Sequence, residues 1–180
     1  MKRIFFTSDL HLGHAQMIEK LDRPFDSVAD MNEKLIDNIN EVVGPYDILY
    51  ILGDISYRMG RDASAECLRR INCREMYLLK GNHDKDYSGL GIFKSIEDYR
   101  EIHYGPDNRR FCLFHFPIRN WAGQRGGSVQ LHGHIHSKGD KYNMRNFERK
   151  QWQFDVGVDA NDYHPVCIDT ILDLIAEFDK

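Results

Sequence analysis

The sequence is poor in the features that would place it at once in a structural class. It has four cysteines in 180 residues and no Cys-x-x-Cys pair, so the thiols are expected to be reduced and structural. No apolar stretch approaches the ~20 residues that span a membrane. No leader-like segment precedes the first predicted strand either, which favours a cytoplasmic protein with no membrane partner.

An excess of positive charge is also lacking. The chain has 24 Lys and Arg against 28 Asp and Glu, a net charge of −4, which argues against a generally basic nucleic-acid surface. The Gly-x-Ser-x-Gly motif of serine hydrolases is absent. There is no internal repeat, low-complexity tract or linker, so residues 1–180 are predicted to form a single domain. A chain of this length buries roughly 70% of the surface that its unfolded form exposes.

Histidine, by contrast, is abundant and clustered. Six of the nine histidines lie in or beside five short polar stretches, each of which follows an apolar run. The runs cover residues 4–8, 48–52, 76–80, 111–114 and 128–131, and they predict buried strands. The polar stretches are Asp9-Leu10-His11, Gly53-Asp54, Gly81-Asn82-His83-Asp84, His115 and Gly133-His134-Ile135-His136. In shared sheets they would collect outside the carboxyl ends of the strands, where α/β folds place active sites.

The intervening segments predict a β-α-β-α-β opening followed by a strand-rich half. Apolar residues at steps of three and four predict an amphipathic helix over 28–43, capped by Asp26 or Ser27, and a second helix over 62–72. Later strands are expected near 97–104, 110–116, 128–131 and 153–158, with a last helix over 168–178. Residues 122–127 and 137–150 are polar and are predicted to be loops around the site.

The five polar stretches carry a donor set for divalent cations. Asp9 and His11 are two residues apart, as are His134 and His136, which in an extended segment turns both side chains of each pair to one side. A carboxylate such as that of Asp54 can bridge two cations. Nitrogen and oxygen donors without thiolate favour manganese, iron, nickel or zinc over magnesium alone. Two such ions against two carboxylates leave positive charge that suits a phosphate ester.

His83 follows the candidate ligand Asn82 but is not itself assigned as a metal ligand. We expect it to supply a proton or positive charge to the leaving oxygen, and Asp84 to hold its ring in the right tautomer. The attacking group would be a hydroxide made available at neutral pH by the two ions, moving in line with the leaving oxygen.

The order of these motifs resembles that of the calcineurin-like metallophosphoesterase superfamily: D-x-H, G-D, G-N-H-D or E, a single H, then G-H-x-H. Arg23-Pro24-Phe25 and Gly157-Val158-Asp159 also resemble its small, cap-free bacterial and phage branch. The resemblance implies an α/β fold, a four-layer α/β/β/α sandwich with mixed sheets. It further implies that one metal ion is held by Asp9, His11, Asp54 and His136, and the other by Asp54, Asn82, His115 and His134. His83 is then the general acid or transition-state stabiliser.

The leading hypothesis is a binuclear, metal-dependent phosphoric ester hydrolase, with manganese as the first expectation and iron, zinc or nickel as alternatives. Diester and monoester substrates both stay open. The alternatives are a nuclease that acts on short single-stranded nucleic acid, and a non-catalytic interaction module. His14 and Arg119 are candidate phosphate contacts or else exposed residues, and His132 is expected to face away from the site. The basic and aromatic residues of 137–150 form either a nucleic-acid platform or a solvated hairpin. The oligomeric state is left open.

Overall fold

The computed structural model describes residues 2–179, so Met1 and Lys180 of the predicted single domain lie outside the described residues. A five-stranded sheet runs in the order β4-β3-β2-β1-β9. Its strands are β1 (Ile4–Thr7), β2 (Ile48–Ile51), β3 (Glu75–Leu79), β4 (Ser95–Glu97) and β9 (Val166–Cys167). The first four pair in parallel, and β9 pairs antiparallel with β1.

A second sheet of four strands runs in the order β5-β6-β7-β8. These are β5 (Tyr99–Tyr104), β6 (Arg109–Phe114), β7 (Val129–His132) and β8 (Gln153–Asp155). The last three are parallel, whereas β5 is antiparallel to β6. The first sheet thus contains four consecutive parallel strands and the second contains three, and their carboxyl ends are free to carry functional loops.

Five α-helices complete the described chain: α1 (Gln16–Leu21), α2 (Val28–Val42), α3 (Arg61–Arg69), α4 (Lys141–Glu148) and α5 (Ile168–Phe178). Of the two predicted caps of α2, Asp26 and Ser27, it is Ser27 whose side chain accepts a hydrogen bond from the Asp30 backbone N–H, at 3.1 Å. None of these helices combines the length and apolar character needed to cross a bilayer.

Two apolar cores separate the layers. The first contains the buried stripe of α2, which is Met31, Leu35, Ile36 and Ile39, together with residues of β1, β2, β3 and α3. The second lies between the sheets and joins Phe6 and Leu52 to Phe111 and Leu131, with α4 and α5 contributing Phe147 and Ile171. The predicted α/β class with two mixed sheets and the β-α-β-α-β opening are confirmed. The four cysteines are free, as expected.

One prediction is wrong: residues 137–150 are not a loop or hairpin, because helix α4 occupies most of them. The reason lies in two buried asparagines on one face of α4. Asn143 exchanges hydrogen bonds of 3.0 and 2.7 Å with the Asp155 backbone, and Asn146 donates to the Gln153 carbonyl at 3.0 Å. Their carboxamides therefore pair with the outer edge of β8, so that the helix covers this edge with polar side chains.

Candidate metal centre

The predicted ligands from both sheets converge at one place. Asp9 and His11 follow β1, Asp54 follows β2, His115 follows β6 and His136 follows β7. Side-chain oxygen and nitrogen atoms form two groups in which all members lie within 4.8 Å of one another: Asp9, His11 and His136 in one, and Asp9, Asp54 and His115 in the other. Asp9 thus belongs to both groups, although the resemblance assigns it to one ion only.

The carboxylate of Asp54 lies between the two groups. Its Oδ2 is 3.6 Å from His11 Nε2 and also 3.6 Å from His115 Nε2. Its Oδ1 accepts a hydrogen bond from the His83 backbone N–H at 2.9 Å, which leaves Oδ2 turned towards both histidines. This is the position that a bridging carboxylate needs.

The backbone at these residues is left-handed rather than extended. Positive φ angles occur at five predicted ligands: Asp9 (59°), His11 (50°), Asp54 (55°), His134 (72°) and His136 (49°). The side chains of each pair therefore reach the site from tight bends, and the extended geometry assumed from the sequence is not present. Such residues cost about 1 kcal/mol or more each and persist where the surrounding structure imposes them, often at functional sites.

Two glycines allow the loops to approach closely. A Cβ on Gly53 would lie 2.5 Å from the Gly81 nitrogen and 2.6 Å from His115 Nδ1. A Cβ on Gly133 would collide with Ser8 Oγ and Asp9 Oδ2. Glycine at these positions thus lets strands of the two sheets bring their ends within ligand distance.

The donor set fits a divalent cation. Among the residues that the structure describes, Asp9 Oδ1 and His11 Nε2 are buried without a hydrogen-bond partner. They lie 4.0 Å apart, and His136 Nε2 is 3.9 Å from the same oxygen. Buried polar atoms are rarely left without a partner in native proteins, since each costs about 1–3 kcal/mol. A cation among these atoms would satisfy them together.

The second group, around His115, also contains acceptor atoms that face one another. His115 Nδ1 lies 2.7 Å from the Leu52 carbonyl oxygen, which can only accept, so Nδ1 carries the proton and Nε2 presents a lone pair. Asn82 Oδ1, another acceptor, lies 3.2 Å from that Nε2. Two acceptors that face each other at this distance repel unless a cation lies beside them.

Burial controls the protonation of these groups. It lowers the pKa of His11 to about 2, and it also lowers the pKa of His115, so both rings are neutral at neutral pH, the form that binds metal. Burial raises the pKa of Asp9 to about 7, because a carboxylate without a cation is poorly solvated there. For His136, burial acts to lower the pKa, but the hydrogen bond to Asp159 and the charge of Asp9 outweigh it, and the pKa is raised.

The remaining predicted ligands lie at the open side. Asn82 and His134 are exposed, and the His134 ring is 5.2 Å from the His115 ring. His132 turns away: its Nδ1 donates to the Gly133 carbonyl at 2.9 Å, and its Nε2 is 3.4 Å from the Tyr142 hydroxyl. The structure therefore brings all seven predicted ligands to one region and leaves His132 outside it.

His83 lies at the mouth of the centre. Its side chain is 38% exposed, and its Nε2 is 4.0 Å from Asp54 Oδ2. Asp84, however, does not orient the His83 ring. Its two oxygens accept backbone hydrogen bonds of 2.8 to 2.9 Å from Gly81, Asp54 and Ile55, because the two loops cross at this point. Burial raises the pKa of Asp84, although these hydrogen bonds oppose the change. The residue ties two ligand loops together.

Of the two candidate phosphate contacts, His14 lies at the site. Its Nδ1 is 3.5 Å from His11 Nδ1, and its ring lies 4.2 Å from the Tyr57 ring. The ring of Tyr57 in turn contacts that of His83 at 4.9 Å. Arg119 is exposed, and no salt bridge or hydrogen bond within residues 2–179 ties its side chain to the ligand cluster.

Sequence reasoning missed four residues around the centre. Tyr57 separates His14 from His83, and the Phe116 ring packs 4.6 Å from the His134 ring. Asp159 accepts a hydrogen bond from His136 Nδ1 at 2.8 Å and is itself bound by Arg23. Arg23 and Asp159 lie in the segments Arg23-Pro24-Phe25 and Gly157-Val158-Asp159, which the sequence does single out. Neither segment, however, has the spacing of polar residues that is typical of a catalytic or metal-binding motif.

Comparison with known proteins identifies relatives of this chain. A family model described as calcineurin-like phosphoesterase matches residues 2–169. An uncharacterized protein of Methanocaldococcus jannaschii is 35% identical over 176 residues, which cover 97% of this chain and 92% of that protein. The gene 66 protein of Mycobacterium phage D29 is 32% identical over 187 residues and covers 89% of each chain. A crystal structure of a protein of unknown function from Aquifex aeolicus superposes with a TM-score of 0.76 at 24% identity, over 97% of this chain and 100% of that one.

Proposed function

Because the chain belongs to the calcineurin-like phosphoesterase family, we propose that it hydrolyses a phosphoric ester at a centre of two divalent cations. The observation that carries the proposal is that the buried atoms Asp9 Oδ1 and His11 Nε2 have no hydrogen-bond partner among the described residues, while His136 Nε2 lies 3.9 Å from the same Asp9 oxygen. A folded protein tolerates such a set where a cation satisfies it.

The ligands divide between two ions through Asp54. Asp9, His11 and His136 would hold one ion, and Asn82, His115 and His134 the other. Asp54 would contact both, since its Oδ2 lies 3.6 Å from a histidine of each set. Bound ions of this kind act as Lewis acids and lower the pKa of coordinated water. Nitrogen and oxygen donors favour manganese, with iron, zinc or nickel as alternatives.

The chain itself supplies the proton for the leaving group. The ring of His83 is accessible from solvent and lies beside Asp54, so a phosphate held at the centre would meet its Nε2. The Tyr57 ring contacts it in an edge-on arrangement, with the ring centroids 4.9 Å apart. His83 in its protonated form would then donate to the departing oxygen, a contribution of about 10²- to 10⁴-fold.

The open side of the centre favours esters with two organic groups. Asn82, His83 and His134 are all exposed, so a substituent on either side of the phosphorus meets solvent. His14 lies within reach of a phosphate oxygen next to His11. We therefore propose phosphodiesters as the preferred class, with monoesters as the second candidate.

The test is hydrolysis of an aryl phosphodiester and the matching monoester by metal-stripped protein resupplied with Mn²⁺. Wild type should regain activity with metal, Asp54→Asn should lose both metal and activity, and His83→Ala should keep its metal content but turn over at least 100-fold more slowly. Asp47→Asn, which alters a buried carboxylate that binds Arg3 on another part of the chain, is the matched control and should remain active. A wild type that binds two cations yet cleaves neither ester would contradict the proposal.

A further inference from the structure

Arg23 is a buried cation next to the metal centre whose hydrogen-bonding capacity is fully used. Its side chain has 0% exposure. Nε and Nη2 donate to the two oxygens of Asp159, each at 2.8 Å. The other N–H groups point at the Asp9 and Leu10 carbonyls, at 2.9 and 3.1 Å, and at the Met31 sulfur at 3.5 Å. A guanidinium has five N–H groups, so all of its donors are accounted for.

These contacts connect the two loops that carry the first ligand group. The carbonyls of Asp9 and Leu10 belong to the left-handed bend between β1 and His11. Asp159 lies in the 3-10 turn Val158–Ala160, and its Oδ2 also accepts from His136 Nδ1 at 2.8 Å. A single side chain thus holds the backbone under Asp9 and, through Asp159, the ring of His136.

The carboxylate of Asp159 also selects the tautomer of His136. A carboxylate oxygen only accepts, so the proton resides on Nδ1 and the lone pair on Nε2 faces Asp9 Oδ1 at 3.9 Å. Had the proton been on Nε2, the ring would offer no lone pair to a cation. A carboxylate behind a histidine that faces a cation site typically raises the basicity of that ligand.

From this geometry we infer that Arg23 and Asp159 are positioning residues that set the affinity of the centre for the cation held by Asp9, His11 and His136. The inference rests on the proposed metal centre and adds that two residues which touch neither cation nor substrate control its assembly. Loss of such a partner typically weakens metal binding by about 10- to 100-fold.

The two residues make separable contributions. Asp159→Asn preserves shape, but its amide must direct N–H groups either at His136 Nδ1 or at Arg23, so either the tautomer or the guanidinium contact is lost. Arg23→Lys keeps the charge and the Asp159 to His136 hydrogen bond, but it cannot hold the carbonyls of Asp9 and Leu10 and both carboxylate oxygens together. Both variants should weaken binding, whereas only Asp159→Asn can change the His136 tautomer, which it does if the amide N–H₂ faces His136 Nδ1.

The experiment measures two quantities that need no turnover. Mn²⁺ affinity and stoichiometry are obtained by competition with a chelating indicator. The tautomer of each ring is read from ¹⁵N chemical shifts of the metal-free protein at a pH at which the His136 ring is neutral. We expect Asp159→Asn and Arg23→Lys each to lower the Mn²⁺ affinity of one of the two sites by about 10- to 100-fold and to leave the affinity of the other site unchanged. Wild type and Arg23→Lys should show a proton on His136 Nδ1. In Asp159→Asn the proton moves to Nε2 if the amide N–H₂ faces the ring, and stays on Nδ1 if the amide breaks the Arg23 contact instead.

Asp47→Asn is again the control. Asp47 is a buried carboxylate that accepts hydrogen bonds from Arg3 and Gly44, so its variant should be destabilised with no change in Mn²⁺ affinity. Thermal unfolding in a chelator shows that each variant is folded. If wild type binds no Mn²⁺, the proposed function fails. If wild type binds two ions and both Asp159→Asn and Arg23→Lys bind them equally well, the proposed function stands and this inference is overturned.

Discussion

Replacing Asp9 with asparagine should stabilise the metal-free protein at neutral pH. The Asp9 carboxyl is fully buried, and burial raises its pKa from 3.8 to about 7. The folded state then binds more protons than the unfolded state between these values, so the free energy of unfolding decreases as the pH rises through that window. Once Asp9 is ionised, the penalty is on the order of 4 kcal/mol.

The amide removes this charge and adds a compatible donor. Asp9 Oδ2 accepts from the His134 backbone N–H at 2.9 Å, so an asparagine would place its oxygen there and its N–H₂ near the lone pairs of His11 and His136. An amide in this position carries a desolvation cost of its own, of about 1–3 kcal/mol. The net gain near pH 8 is therefore about 2 kcal/mol, or roughly 4–8 °C in Tm for a domain of this size.

The assay is urea and thermal unfolding in a chelator at about pH 5 and about pH 8, repeated with excess Mn²⁺. Asp9→Asn should be more stable than wild type at the higher pH, by a margin that shrinks at the lower one, and Mn²⁺ should stabilise wild type far more than the variant. Asp47→Asn should be less stable than wild type at both pH values, because hydrogen bonds from Arg3 and Gly44 outweigh burial and lower the pKa of that carboxyl, so that its ionised form stabilises the fold throughout this range. If Asp9→Asn were equally destabilised at both pH values, Asp9 would not bear a desolvation cost and the reasoning would be refuted.

Three further predictions follow from the same contacts. Gly133→Ala should abolish high-affinity metal binding, measured by Mn²⁺ titration, because its Cβ would collide with Ser8 Oγ and Asp9 Oδ2; Gly60→Ala, which has open space around it, should be neutral. Asp84→Asn should cost about 1–3 kcal/mol in urea unfolding, since its carboxylate accepts from three backbone amides and an amide side chain cannot. Removal of metal from wild type should lower the free energy of unfolding by about 2.7 kcal/mol relative to protein held at 100 times the dissociation constant; equal stability with and without metal would contradict a metal centre.

The parts of the fold that were predictable are those with an apolar period. The stripe Met31, Leu35 and Ile39 indicated α2, and the last helix was placed over the residues it occupies, because both bury one continuous face. Helix α4 was not predictable in this way, since its buried residues include Asn143 and Asn146, which are buried only because the edge of β8 offers backbone partners. A polar residue that is buried because it pairs with another element of the fold produces no periodic pattern in its own segment of sequence.

In the candidate site, too, the residues that were predictable are those with a local sequence signal. Ligand positions such as Asp54 and His115 were recognisable because each lies shortly after the end of a strand, and the carboxyl ends of the strands do meet. The sequence misassigned Asp84, since an acid next to a histidine suggests a pair, whereas the crossing of two loops directs it to backbone amides. The partner that does support a ligand histidine, Asp159, lies 23 residues after His136, beyond the reach of a motif.

The left-handed backbone at the ligand positions restricts which substitutions can remove the metal centre and still preserve the fold. Asparagine and glycine tolerate positive φ, whereas β-branched residues do not. A change of Asp9 or Asp54 to asparagine or glycine would reduce the backbone strain while it removes a carboxylate ligand. Valine or isoleucine at either position would remove the carboxylate and also destabilise the fold. Descendants that lost the reaction but kept the fold should therefore carry asparagine or glycine where this chain has its acids, so that these two residue types at the ends of β1 and β2 would mark a former metal site.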